Sequence, residues 1–292
     1  MPIAPSLPPK PPNYGDKPVS EVSKKRSSRR PRRRGRRREP VIRIGSNYGD
    51  KPVSEVWRPE LTRLPVLTPA RRLARSLLRG LVRFLVFCFT RTEVSGLENF
   101  PKKGPALVVM NHLGDADALI MLAFLPIFPE ALAKIELYNF PVLGALMHAY
   151  GVIWVHRGQP DRRAIRAALE GLRAGKFVGV APEGRESLSG GLEEGTEGAA
   201  FLAIKAGVPL VPVTITGTQN ARLYGNMKRL RRTPVTLRVG KAFILPGQAN
   251  RQGALREATR LIMEVLARQL PPEYRGVYSY VDGSLRLPRG ER

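Results

Sequence analysis

Ala106-Leu107-Val108-Val109-Met110-Asn111-His112-Leu113-Gly114-Asp115-Ala116-Asp117 is the stretch on which the fold turns. Residues 106–110 are apolar and include the β-branched pair Val108 and Val109, which predicts a short buried strand. A polar loop follows, and then an apolar run over 118–128 that reads as a helix broken near Pro126. Strand, polar loop and helix in that order make one unit of an α/β sheet. In such sheets ligands bind beyond the carboxyl ends of the strands.

The same alternation continues downstream. Residues 152–155 and 177–181 are strand-like. Between them Asp161 is placed to cap a helix through Arg173, with Ile165, Leu169 and Leu172 on one face and Gly175 at its end. Thr196 is the candidate cap of a helix to Ala206, closed by Gly207. Further strands are expected over 210–215 and 235–239. A last amphipathic helix is expected over 254–270, stopped by Pro271-Pro272. The pattern predicts a single layered α/β domain over residues 93–275, with 276–292 as a C-terminal tail.

Upstream the composition changes. The chain of 292 residues has a formal net charge of +25. Residues 1–56 carry 15 Lys and Arg against 5 Asp and Glu, and large apolar side chains are few. They read as a disordered basic tail. The tail holds an internal repeat: residues 13–22, Asn-Tyr-Gly-Asp-Lys-Pro-Val-Ser-Glu-Val, recur unchanged at 47–56. Two copies do not make a stacking architecture. So basic a chain favours anionic partners: a bilayer, a phosphorylated substrate or nucleic acid. No apolar signal core and no run of about 18 uncharged apolar residues is visible, so membrane contact is expected from one side only. Cys88 is the sole cysteine, which excludes an intrachain disulfide and a cysteine-only metal site.

Residues 57–92 form a separate segment. Its helix, 69–90, spaces Arg71, Arg75, Arg79 and Arg83 four apart in one stripe, and Leu77, Leu78, Leu81, Leu85 and Phe89 cover much of the rest. A basic amphipathic helix of this kind suits the headgroup boundary of an anionic bilayer.

The candidate chemistry begins at His112, one of three histidines in the chain. A neutral imidazole takes a proton from a hydroxyl, and a neighbouring carboxylate fixes its tautomer. Asp117 lies five positions on. Residues five apart are about 140° apart on an ideal helix, so a His112–Asp117 pair needs His112 in the loop and Asp117 at or before the helix start. Taken alone, the spacing also fits a turn histidine beside a helix cap. Two more loops follow strands: Gly151-Val152-Ile153-Trp154-Val155-His156-Arg157, and Val178-Gly179-Val180-Ala181-Pro182-Glu183-Gly184-Arg185. Arg157 and Arg185 are candidate phosphate clamps. Gly184 permits close backbone approach, and Glu183 is placed to orient an acceptor hydroxyl or hold an arginine. Three such loops in one sheet would converge on one edge.

Four blocks together resemble the glycerolipid acyltransferase superfamily, that of the 1-acylglycerol-3-phosphate acyltransferases. Asn111 to Asp117 is similar to its His-x4-Asp block. Gly151-x-Ile153-x-x-x-Arg157, Pro182-Glu183-Gly184 and Val208-Pro209-Leu210-Val211-Pro212-Val213 are similar to the later blocks, in family order across roughly residues 95–240. Lys134-x-Glu136-Leu137 resembles the stretch between the first two. The resemblance implies a mixed central sheet flanked by helices. It implies that His112, assisted by Asp117, deprotonates the acceptor hydroxyl, which then attacks an acyl thioester of coenzyme A or acyl carrier protein. Asn111, Lys134, Arg157, Glu183, Gly184 and Arg185 would belong to the substrate site. Neither a metal nor a cofactor beyond the acyl donor is implied, and Cys88 is not needed as a nucleophile. The expected setting is the cytoplasmic face of the membrane, held peripherally or monotopically, with a lysophospholipid as acceptor and no role for nucleic acid.

The departures fall on the acceptor side. The family's Thr-Arg-Ser after Pro-Glu-Gly is Arg185-Glu186-Ser187 here, its preceding aromatic is Ala181, and a frequent Ser in the first block is Gly114. They leave the acceptor headgroup open. A non-catalytic basic protein on the same scaffold, binding membrane or nucleic acid, is the alternative of a different class.

Overall fold

The computed structural model describes residues 53–158, 160–246 and 253–281. Most of the expected basic tail and the end of the C-terminal tail lie outside them. Seven strands form one sheet in the order β1-β7-β6-β2-β5-β3-β4. They are β1 (Thr90–Ser95), β2 (Ala106–Met110), β3 (Glu130–Lys134), β4 (Ile153–Val155), β5 (Phe177–Val180), β6 (Leu210–Thr216) and β7 (Thr233–Val239). From β4 to β6 all neighbours are parallel. β7 runs antiparallel to β6, and β1 runs parallel to β7. The sheet is therefore mixed.

β2 sits where the chain changes direction across the sheet. The chain leaves β2 for β3 and β4, returns through β5 on one side, and then crosses to β6 on the other. The carboxyl ends of β2, β5 and β6 share one edge, the usual place for a site in such a sheet. Side chains of β2 alternate between two cores, as strand geometry requires. Leu107 and Val109 pack with the helices α4 (Arg162–Arg173), α5 (Gly198–Ala206) and α7 (Ala254–Gln269). Ala106, Val108 and Met110 pack with α1 (Pro69–Phe89) and α2 (Ala116–Phe124). Tyr278 and Val281, beyond the expected boundary at 275, join the first core. At the other end Val53 to Val56, expected in the tail, reach the edge strand: Ser54 and Arg157 exchange hydrogen bonds of 3.1 and 2.7 Å.

Several elements follow directly from local chemistry. Thr68 caps α1 by accepting the Arg71 N–H, with Pro69 at the first helical position. Asp161 caps α4 through the Arg163 and Ala164 N–H groups. Other expectations shift. α2 starts two residues before the apolar run and ends at Phe124. The helix expected from Thr196 starts at Gly198, because the Thr196 hydroxyl donates instead to the Pro182 carbonyl at 2.8 Å. β1, β3, α3 (Pro141–Tyr150) and α6 (Asn220–Lys228) are additions to the sequence reading.

α1 presents its apolar side outward, as a membrane-contacting helix requires, but its arginine stripe does not face lipid headgroups as expected. Its arginines face the domain. Arg75 is 3% exposed and pairs with Glu130 at 2.7 Å, while its Nε donates to the Tyr150 carbonyl. Arg79 donates to the Ile127 carbonyl and stacks on Phe128, and Arg83 donates to the Ala123 carbonyl. Leu73, Leu77, Leu81, Phe84, Leu85 and Phe87 face outward. The cause is a supply of acceptors: loops and helix ends under α1 present carbonyls and one buried carboxylate, which guanidinium groups satisfy and leucines cannot.

Candidate active site

Asp117 anchors the site. It lies in the first turn of α2 and is wholly buried. Its Oδ2 accepts the N–H groups of Leu113 and Gly114 at 2.6 and 2.9 Å and faces His112 Nδ1 at 2.8 Å. Its Oδ1 accepts the Thr218 hydroxyl, from the loop after β6. With donors arrayed around it the carboxylate is the acceptor, so His112 Nδ1 carries the proton and Nε2 is the basic nitrogen. The loop bends back around the carboxylate, which lets residues five apart meet. Burial of the ring disfavours its charge, but the hydrogen bond and charge of Asp117, with Glu186 and Glu183 farther off, outweigh burial and hold the imidazole above its ordinary 6.5. The His112 side chain keeps 27% exposure, a path for substrate.

Glu183 ties the loop after β5 to the loop after β2. Its Oε1 accepts the His112 backbone N–H at 2.9 Å and its Oε2 accepts the Glu193 N–H at 2.8 Å. Burial pushes its carboxyl up to about 7, against those two hydrogen bonds. The Ser187 N–H donates to the His112 carbonyl at 2.7 Å, so both backbone groups of His112 are held from the same loop. Gly184 has φ +73 within it. Asn111 is buried and extends the ladder sideways: its amide donates to the Ile215 carbonyl and accepts the Ile215 N–H, each at 2.8 Å.

The rim is polar. Arg185 pairs with Glu193 at 2.6 Å. Lys134, at the end of β3, lies 3.8 Å from Glu186, which also accepts the Asn220 side-chain N–H. Asn220 Oδ1 accepts the Asp115 N–H, and the Tyr224 hydroxyl donates to the Asp115 carboxylate. A Cβ at position 114 would lie 2.5 Å from Asn220 Oδ1 and 2.6 Å from the Thr218 carbonyl, so glycine is required here. The structure thus brings His112, Asp117, Asn111, Glu183, Gly184, Arg185 and Lys134 to one edge. Arg157 lies on that edge too, but after β4, two strands beyond β5, and its backbone is tied to Ser54.

Thr218, Asn220 and Tyr224 were not singled out by sequence reasoning, and Glu186 was noted only as a departure from the family pattern. The signal for Thr218 is a hydroxyl just after a buried strand, which gains meaning only once β6 is known to lie beside β2. Also missed was a second pair with the same spacing, His156 and Asp161. His156 Nδ1 lies 3.0 Å from Asp161 Oδ2. Here, however, Nε2 accepts the Arg58 N–H at 3.0 Å and Trp57 packs on the ring. Both ring nitrogens are engaged, so this histidine holds the 53–62 segment and has no free base. Among the described residues no group of three or more His, Cys, Asp or Glu side chains is placed to hold a metal ion.

The fold and site define an α/β domain built around a histidine–aspartate pair at the switch point of its sheet. Residues 91–216 match the Acyltransferase family model. The chain is 32% identical to the chloroplastic 1-acyl-sn-glycerol-3-phosphate acyltransferase BAT2 of Brassica napus, over 46% of this chain and 39% of that protein. It is 31% identical to the 1-acyl-sn-glycerol-3-phosphate acyltransferase of Borreliella burgdorferi, over 44% and 52%. The crystal structure of the LPA acyltransferase PlsC from Thermotoga maritima matches with a TM-score of 0.53 and 25% identity, covering 70% of this chain and 84% of that one. The chain carries His112, Asp117, Glu183 and Gly184 inside the residues that match the family model. It spans about half the length, or less, of the curated relatives it matches.

Proposed function

We propose that the protein transfers a fatty acyl group from acyl-CoA or acyl carrier protein to the free hydroxyl of a lysophospholipid, with 1-acylglycerol-3-phosphate as the acceptor, in phospholipid synthesis. The observation that carries this reading is His112, whose Nδ1 is fixed by Asp117 at 2.8 Å and whose side chain keeps 27% exposure. Nε2 takes the acceptor proton as the hydroxyl oxygen bonds to the thioester carbonyl carbon. The C–S bond then breaks, and the imidazolium returns the proton to the departing thiolate. No acyl-enzyme is needed. The named activity of the relatives supports the acceptor class.

A second acceptor within the same chemistry is favoured by one observation. Where the family pattern has Thr-Arg, Arg185 is ion-paired to Glu193, and Glu186 puts a carboxylate near His112. A lysolipid with a less anionic headgroup fits that rim. Thiol release, followed with purified protein, acyl thioester and a panel of lysolipids, tests both readings. Turnover only on acceptors other than 1-acylglycerol-3-phosphate selects the second. Absence of turnover on every acceptor rejects both.

Among the described residues no helix is long and apolar enough to cross a membrane. The outward leucines and phenylalanines of α1, with exposed Phe140, Val142, Leu143 and Leu146 at the start of α3, leave many large apolar side chains uncovered. We propose peripheral or monotopic docking of this face on an anionic membrane, at its cytoplasmic side.

A further inference from the structure

The turn joining α6 to β7 reads Lys228-Arg229-Leu230-Arg231-Arg232, and all five residues are exposed. α6 closes with Arg231 N–H donating to the Asn226 carbonyl at 2.9 Å and Leu230 N–H donating to the Met227 carbonyl at 3.0 Å. That pattern puts Leu230 at the left-handed position after the helix, φ +53, where glycine is the usual residue. It is the one non-glycine residue with positive φ among the described residues, and it is 91% exposed. Backbone strain and an exposed leucine are both unfavourable in the free protein, and glycine would relieve both. A partner that takes up the side chain accounts for them.

The surrounding charge indicates the partner. From Gly198 to Arg256 the chain has ten Lys and Arg and no Asp or Glu, and four of the ten are in this turn. Arg232 Nε donates to the Thr90 carbonyl at 2.8 Å, and its guanidinium lies 5.0 Å from the Phe87 ring centre. The turn therefore abuts the end of α1, where Phe84 and Phe87 continue the outward apolar face. A leucine flanked by cations and continuous with exposed phenylalanines fits acyl chains beneath anionic headgroups. A nucleic-acid backbone offers nothing for the leucine to enter.

We propose that residues 228–232 form a second membrane contact, in which Leu230 enters the acyl layer, Lys228, Arg229 and Arg231 meet lipid phosphates, and Arg232 braces the turn on Phe87. The proposal rests on the reading of α1 as a docking face. α6 runs from this turn to Asn220 and Tyr224 at the rim of the His112 site, so the contact would also fix the site's height above the bilayer.

The test is flotation of the full chain with vesicles of phosphatidylcholine alone and with phosphatidylglycerol added. Leu230→Gly should raise or keep the melting temperature and weaken binding to anionic vesicles on the order of tenfold. Arg229→Ala with Arg231→Ala should weaken binding to anionic vesicles on the order of tenfold or more and leave binding to neutral vesicles unchanged. If both variants bind like the unaltered chain while Leu77→Ser with Leu81→Ser does not bind, the turn proposal is refuted and the α1 reading stands. If the unaltered chain floats with neither vesicle, both fail. If the turn variants lose affinity for an oligonucleotide but not for vesicles, the turn belongs to nucleic acid and the proposal is overturned.

Discussion

The backbone N–H of His112 donates to Glu183 Oε1 at 2.9 Å, which locks the loop after β2 to the loop after β5. Glu183 is buried and its carboxyl is pushed up to about 7 from 4.5. The folded protein therefore holds this proton more tightly than the unfolded chain. The associated stability is fully present below pH 4.5 and is lost as pH rises through about 7. Glu183→Gln should flatten the dependence of the urea midpoint on pH across that window. It should also slow turnover on the order of tenfold, because one of two backbone hydrogen bonds is weakened. A pH dependence identical to that of the unaltered chain would contradict this.

His112 must be neutral to accept a proton. Because its pKa is held above 6.5, kcat/KM should rise with pH along a limb whose midpoint lies above 6.5. Asp117→Asn removes the charge that opposes burial and leaves an amide in place of the carboxylate. The midpoint should move to lower pH, and the plateau should fall on the order of 10²-fold or more. A pH–rate profile for both proteins checks the direction.

Arg75 and Glu130 are both buried and joined at 2.7 Å, with Lys176 3.2 Å from the same carboxylate. Removing one partner strands a charge in the core. Glu130→Ala should destabilise the fold by about 3–5 kcal/mol, read by chemical denaturation. Arg75→Met combined with Glu130→Leu should recover much of the loss. Arg75 is thus a folding residue, and charge reversal there does not probe membrane binding.

That arginine marks the limit of what the sequence carries. Its four-residue spacing shows that Arg71, Arg75, Arg79 and Arg83 share a face. Periodicity cannot say which face meets the domain, because that depends on carbonyls supplied by residues 123–151. The strand at 106–110 and the Asp161-capped α4 were legible, since β-branching and capping act locally. β3 was not: Glu130-Ala131-Leu132-Ala133-Lys134 favours helix by composition and is a strand only because a slot exists between β5 and β4. At the site, the spacing of His112 and Asp117 was legible, whereas the Thr218 contact depends on strand order.

His156 and Asp161 share the spacing and the Nδ1 contact of the first pair, but Arg58 occupies Nε2. His156→Ala should lower stability by about 1–3 kcal/mol through the lost buried hydrogen bonds. It should leave the rate per folded molecule within about twofold, consistent with a site outside the reacting centre. Denaturation and turnover measured on one preparation separate the two effects. A loss of turnover with stability intact would count against the assignment.

The most direct test of acyl transfer at His112 is thiol release from an acyl thioester in the presence of a lysophospholipid, comparing the unaltered chain with His112→Ala. The expected result is turnover that requires the lysolipid, reduced on the order of 10³-fold in the variant, with an unchanged melting temperature. Turnover that survives in a folded His112→Ala protein would contradict the role given to this residue.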